Sequence, residues 1–208
     1  MPTTHTPQEM LDAARSGDGA AWGNLLDHYR PYLTLLADIQ IGRRLRGKAD
    51  PGDLVQETLL QAHQDFPAFR GTTEDQFTAW LREILACRLA RLMRHYLGTQ
   101  KRDVKLERDL CTEFDQSSRR LDECLASPGS SPSAGAARRE QAVRLAAALA
   151  QLTPEHREVL ILRHVEALSF PEVGDRMGRS ADAATKLWAR AVRRLREVFG
   201  DDDESGRG

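Results

Sequence analysis

Ten residues near the C-terminal end, Ser169-Phe170-Pro171-Glu172-Val173-Gly174-Asp175-Arg176-Met177-Gly178, constrain the fold more than any others. Ser169, with Glu172 three residues on and Pro171 inside the first turn, spells the start of a helix. Gly178 supplies the left-handed residue that stops it. Ser180 then caps a second helix, in which Ala184, Leu187, Trp188, Ala191, Leu195 and Val198 recur at three and four residues as one apolar stripe. The opposite face carries Asp182, Lys186, Arg190 and Arg193. The segment reads as a helix-turn-helix whose second helix exposes short polar and basic residues, the shape that enters a DNA major groove. The same caps and turn also fit a plain surface helix pair with solvated arginines, so the rest of the chain has to decide.

The remainder is patterned as helix, without a convincing alternating strand, and the expected fold class is all-α. Residues 127–137 consist only of Ser, Pro, Gly and Ala and read as a flexible linker. Residues 98–126 are polar and mixed in charge, with one short helix expected around Val104 to Leu110. The expected organisation is a helical domain over 8–97, a tether over 98–137, a second helical domain over 138–200 and an acidic tail over 201–208, read as a solubilising end. In the second domain, Arg139 to Gln151 forms an Ala/Leu-rich helix and Thr153-Pro154-Glu155 starts another reaching about Val165, together a platform for the helix-turn-helix.

A chain of 208 residues can build two small cores. The formal net charge of −1 hides an uneven distribution. Residues 138–200 hold 12 Lys/Arg against 8 Asp/Glu, whereas residues 201–208 hold 4 acids against Arg207. A local basic module thus precedes an acidic end. Cys87, Cys111 and Cys124 lack CxxC or Cys/His ligand spacing, so neither a disulfide framework nor a zinc site is indicated, and no cofactor or metal is expected. The first residues carry no apolar signal core and no apolar run approaches the roughly 20 residues of a membrane span, so a soluble cytoplasmic protein is expected.

Three stretches of the N-terminal domain differ in character. Ala20 to Ile39 places Trp22, Leu25, Leu26, Tyr29, Leu33 and Leu36 on a core-facing stripe. Asp53 to Ala62 is an amphipathic helix with Asp53, Gln56 and Glu57 clustered near its start, a pattern that fits ordinary capping or an acidic docking surface for a basic partner helix. Phe77 to Leu97 turns Leu81, Leu85, Leu89, Leu92 and Tyr96 inward. Cys87, Arg91 and Arg94 stand on its far side, flanked by Arg88 and His95. Those arginines suit a phosphate backbone, and Phe77 and Trp80 fit either a core or a platform for unstacked bases.

The segments Asp53-Leu54-Val55-Gln56-Glu57-Thr58-Leu59-Leu60, Phe69-Arg70-Gly71 and Phe77 to Ala86 resemble region 2 of the bacterial extracytoplasmic-function sigma factors, small sigma-70-like initiation factors. Leu152 to Leu160, Ser169 to Gly178 and Ala191-Val192-Arg193-Arg194-Leu195-Arg196 resemble region 4 of the same family, and all six occur in the family's order. The resemblance implies a non-enzymatic protein that binds core RNA polymerase, through the clamp helices of its largest subunit and the flap of the second-largest, and directs it to promoter DNA. Asp53, Gln56 and Glu57 would dock on the clamp. Trp80, Arg82, Cys87, Arg88, Arg91 and Arg94 would face the minus-ten element, and Arg179, Ser180, Asp182, Thr185, Lys186, Arg190 and Arg193 the minus-thirty-five element. The tether would thread toward the polymerase catalytic channel, and an anti-sigma factor would be a further partner.

Cys87 replaces the Asn that many members use beside the flipped minus-ten base, and a thiol lacks an amide's paired donor and acceptor. A redox thiol is one reading of Cys87 and a spare small residue the plainer one. Arg91 stands where an acid is common, and Trp188 is large for its place in the recognition helix. A stand-alone helix-turn-helix regulator is the alternative reading. An enzyme would need convergent groups, and His5, His28, His63, His95, His156 and His164 fall into no HExxH, with no nucleophile elbow or phosphate loop nearby.

Overall fold

In the computed structural model, which describes residues 6–45, 48–97, 104–125 and 135–205, every regular element among the described residues is a helix. The chain divides into two units, Met1–Gln116 and Ser117–Gly208. Of the expected features, residues 127–134 of the Ser/Pro/Gly/Ala run, residues 206–208 of the tail, and His5 lie outside the described residues.

The first unit is built on α2, Gly19–Arg44, which packs against α1 (Pro7–Arg15), α3 (Pro51–Asp65) and α4 (Glu74–Leu97). Aspartates start two of these helices: the carboxylate of Asp18 accepts from the N–H of Ala20 and Ala21, and that of Asp50 from Gly52 and Asp53. Such caps satisfy donors that a helix start otherwise leaves orphaned. The expected α2 stripe is buried except for half-buried Leu26, and burial extends to Tyr32, Leu35, Ile39 and Ile41, since α2 is covered from several sides. Each fully buried Leu or Phe contributes about 1.5–3 kcal/mol. At the head of α4, Tyr29 donates to the Glu74 carboxylate at 2.8 Å, and burial, then Glu74, push its phenol well above the ordinary range.

Along α4, Leu81, Leu85 and Leu89 are buried as expected, but Tyr96 is 44% exposed and Met93 is buried instead. The last turn of α4 runs past the core, and the Tyr96 hydroxyl donates to the Lys48 carbonyl in the loop before α3. Where a short helix around 104–110 is expected, α5 spans Val104–Leu125. Its first half belongs to the first unit, with Leu110 and Phe114 fully buried.

In the second unit α9 (Ala181–Ser205) packs on α6 (Gly135–Ala150), α7 (Pro154–Leu160) and α8 (Phe170–Met177). The helix continues five residues into the stretch read as an acidic tail. Thr153 caps α7, and Arg157 reaches back to donate to the carbonyls of Leu149 and Ala150 at 2.9 Å each, closing the C-terminal end of α6. After α7 a π turn, Ile161–Val165, leads into Ala167 at φ 57°. Arg163 donates to Leu168 O at 2.7 Å and lies over the Phe170 ring, fixing the entry to α8.

Candidate nucleic-acid and partner interfaces

The turn between α8 and α9 is set by two glycines. Gly178 takes the left-handed conformation at φ 65°, and the N–H of Arg179 returns to Gly174 O at 2.8 Å. Gly174 is buried, and a Cβ there would stand 2.7 Å from Arg179 O, so the turn passes too close for any side chain. At the start of α8, both the N–H and the hydroxyl of Ser169 donate to Glu172 Oε2, at 2.8 and 2.6 Å. These bonds from Ser169 hold the exposed Glu172 carboxyl below its usual range.

The apolar seam of α9 is the expected one. Ala184, Leu187, Ala191 and Val198 are buried, while Trp188 and Leu195 are half-buried. Trp188 finds its place at the rim, edge-on to Phe170 at 5.6 Å, with its indole N–H donating to His164 Nε2 at 2.9 Å. That bond requires His164 Nε2 to be unprotonated, and burial, then the charge of Arg163, lower the His164 pKa.

All seven residues expected at the recognition surface are exposed: Arg179, Ser180, Asp182, Thr185, Lys186, Arg190 and Arg193. Several also hold the local structure. The hydroxyl of Ser180 accepts from Ala183 N–H, Thr185 bonds back to Ala181 O, Lys186 pairs with Asp182 at 2.8 Å, and Arg179 meets Glu155 of α7 at 2.5 Å. Exposed pairs of this kind contribute at most about 1 kcal/mol, so a ligand can compete for these cations.

In the first unit, five of the six side chains expected to face the minus-ten element come together. Trp80, Cys87, Arg88, Arg91 and Arg94 line one groove between α3 and α4, about 650 Å³ in volume. The sixth, Arg82, points the other way, its side chain 15% exposed, with Nε 3.0 Å from Asp115 and Nη1 3.3 Å from the Tyr32 hydroxyl. Burial works against its charge, but Tyr32 and Asp115 outweigh that and raise its pKa.

The groove contains groups the sequence reading missed. Gln61 and Asp65 enter from α3 and Glu83 from α4. The guanidinium of Arg88 donates to Gln61 Oε1, whose amide donates on to Asp65 Oδ2 at 2.8 Å, so a polar chain crosses the floor. Gln61 and Asp65 lie one and two turns beyond Glu57, and Glu83 lies three residues after Trp80, so helical spacing alone could have found them.

Of the two aromatics at the head of α4, Phe77 is core, fully buried against Trp22, Tyr29 and Phe69. Half-buried Trp80 packs on Phe69 at 4.7 Å. Gly71 makes that packing feasible, since a Cβ there would collide with the Phe69 ring. The loop is held by α1, where Arg15 donates to Gly71 O at 2.6 Å and Gln8 bonds both Thr72 O and Glu74 N. The sequence reading had no α1, although Thr6-Pro7-Gln8-Glu9 carries a capping box that announces it.

Asp53, Gln56 and Glu57 are exposed on one face of α3, and Leu60, one turn on, is 57% exposed beside them. Glu57 and Leu60 also border a second hollow of about 500 Å³ that shares Gln61, Arg88 and Arg91 with the first. No helix among the described residues is long and apolar enough to cross a membrane.

Comparison with known proteins places these features in context. Residues 148–197 match the profile of Sigma-70, region 4. The ECF RNA polymerase sigma factor BldN of Streptomyces coelicolor is 27% identical over 194 residues, covering 93% of this chain and 66% of BldN. SigG of Mycobacterium tuberculosis, an ECF sigma factor, is 34% identical over 191 residues, covering 85% of this chain and 49% of SigG. CarQ of Myxococcus xanthus, an RNA polymerase sigma factor, is 44% identical over 54 residues, 26% of this chain and 31% of CarQ. The chain thus spans less than two thirds of the length of each of these relatives. Among solved structures, the RsbN–BldN complex at 1.8 Å covers 90% of this chain and 98% of the matched one at 25% identity and a TM-score of 0.32.

Proposed function

We propose that the chain is a sigma-70-like transcription initiation factor that binds core RNA polymerase and directs it to promoters, a reading supported by the region 4 match over residues 148–197 and by the similarity to sigma factors of the extracytoplasmic-function group. The observation that carries this reading is the helix-turn-helix within the region 4 segment, whose turn is fixed by Gly174 and Gly178 and leaves the basic start of α9 exposed. The domain reading follows: a region 2-like first unit, a region 4-like second unit and a tether between them.

In this reading α9 enters the major groove of the minus-thirty-five element. Lys186, Arg190 and Arg193 meet phosphates or base edges, and Ser180 and Thr185 sit at the groove-facing start. In the first unit, Arg88, Arg91 and Arg94 follow the backbone of the minus-ten element while the half-buried faces of Phe69 and Trp80 offer a stacking surface to an unpaired base. Asp65 and Glu83, in the same groove as these arginines, add acceptors for donors on a base edge. Asp53, Gln56 and Glu57, with Leu60 adding apolar area, dock on a basic helix of the polymerase. Intrinsic DNA affinity is expected to be weak and salt-sensitive, because residues 8–97 hold 11 Lys/Arg against 12 Asp/Glu. An anti-sigma factor completes the proposed partners, on the family resemblance.

Run-off transcription from a fragment library of the host genome, with sigma-free core polymerase and this protein, tests the reading. Discrete new starts that depend on the protein support it. No new starts and no co-elution with core polymerase from a folded sample would favour the stand-alone regulator, which shifts its operator without polymerase.

A further inference from the structure

The first half of α5 lies against the first unit in a stretch whose composition reads as a free tether. Leu110 and Phe114, four residues apart on one face, are fully buried, and Lys105, Arg108, Asp109 and Thr112 are exposed on the other. Next to Phe114, Asp115 meets the Nε of Arg82, whose Nη1 lies beside the Tyr32 hydroxyl at the other end of the same contact. Arg82 is thereby held apart from Trp80, Cys87, Arg88, Arg91 and Arg94, which line the groove on the other side of α4.

We propose that residues 104–116 act as an internal cover on the first unit, latched by Asp115 on Arg82 and anchored by Leu110 and Phe114, which closes the Tyr32–Arg82 face in the free protein and lifts when core polymerase engages. The inference rests on the initiation-factor reading given above. The latch is built for release: the Asp115 side chain is 47% exposed, and among the described residues of 104–116 the fully buried apolar side chains are Leu110 and Phe114. Elements with few buried contacts open locally at low free-energy cost, so a partner that binds only the open form draws them off. A cover closed nine-tenths of the time weakens apparent polymerase affinity about ten-fold, which is the size of effect at stake.

The test uses the full chain and the variants Asp115→Lys and Phe114→Ala. Amide hydrogen exchange is followed over residues 104–116 with and without core polymerase, and polymerase affinity is measured by fluorescence anisotropy. The wild type is expected to protect 104–116 when free and lose that protection on polymerase. Both variants are expected to lose it when free, keep the protection of α2 and α4, and bind polymerase more tightly by up to about ten-fold. Persistent protection of 104–116 in the wild-type complex, or variants that bind no tighter than wild type, overturns the cover and leaves the initiation-factor reading standing. Failure of all three proteins to bind polymerase overturns that reading and the cover with it.

Discussion

Alanine at Gly174 and alanine at Gly23 are the same chemical change, made inside helices, with opposite expected signs. Replacing a helical glycine by alanine removes unfolded-state freedom and stabilises by about 0.5–1 kcal/mol where the new methyl fits. At Gly23, in α2, a Cβ meets nothing within 4 Å, so that gain should appear in full. At Gly174 the Cβ would stand 2.7 Å from Arg179 O and 3.2 Å from both Ala181 N and Ser180 C. All three are backbone atoms of the turn, and the bond from Arg179 N–H to Gly174 O ties that turn to α8, so no side chain can swing aside. Moving the turn outward costs about 1–3 kcal/mol as overpacking. Subtracting the alanine gain leaves a net loss of about 0–2.5 kcal/mol, and its centre, about 1.25 kcal/mol, corresponds to a fall in Tm on the order of 5–10 °C for a domain of this size. Labelling with 5-fluorotryptophan makes the assay specific, because Trp188 lies in the second unit and Trp22 and Trp80 lie in the first. Thermal melts read by fluorine NMR should show Trp188 melting earlier in Gly174→Ala and Trp22 melting later in Gly23→Ala. If Gly174→Ala melts at or above wild type, the close approach of turn and helix is not what fixes this glycine.

Three further outcomes follow from the interfaces. Lys186→Ala combined with Arg190→Ala should abolish promoter selectivity in run-off assays while leaving co-elution with core polymerase intact. Charge reversal by Asp53→Lys and Glu57→Lys should do the opposite, weakening polymerase binding by about ten-fold or more while costing at most about 1–2 kcal/mol of stability, since both carboxylates are exposed, Asp53 lies in the first turn of α3 and Arg88 is 4.0 Å from Glu57. For His164 the sign is set by its lowered pKa in the folded state. As pH falls below the ordinary histidine value, near 6.5, the unfolded chain takes up the proton first, so stability is full above that pH and declines as pH drops toward the folded value. Equilibrium unfolding between pH 8 and about 5 should show that slope at Trp188, and His164→Gln should flatten it.

What the sequence disclosed, and what it withheld, divides along local and non-local lines. The helix-turn-helix was legible because its caps, its left-handed glycine and its α9 stripe are encoded within some thirty consecutive residues. The exposure of Asp53, Gln56 and Glu57 followed from helical periodicity alone. Arg82 could not be placed that way, since periodicity gives a face but not the neighbour on that face, and its neighbour Asp115 lies 33 positions later. The same gap hid α5, whose polar composition describes its exposed side, while Leu110 and Phe114 are the fully buried apolar side chains among its described residues. Trp188 seemed oversized until Phe170 and His164, from the preceding elements, were found to receive it.

The hold of α1 on the loop before α4 has a thermodynamic consequence. Arg15 and Gln8 grip Gly71, Thr72 and Glu74, so loosening either partner loosens the other. By reciprocity, whatever stiffens the loop must slow amide exchange in residues 7–15, more than fifty positions earlier in the chain. A nucleotide captured beside Phe69 and Trp80 would then announce itself at the far end of the sequence, in a helix that never touches it.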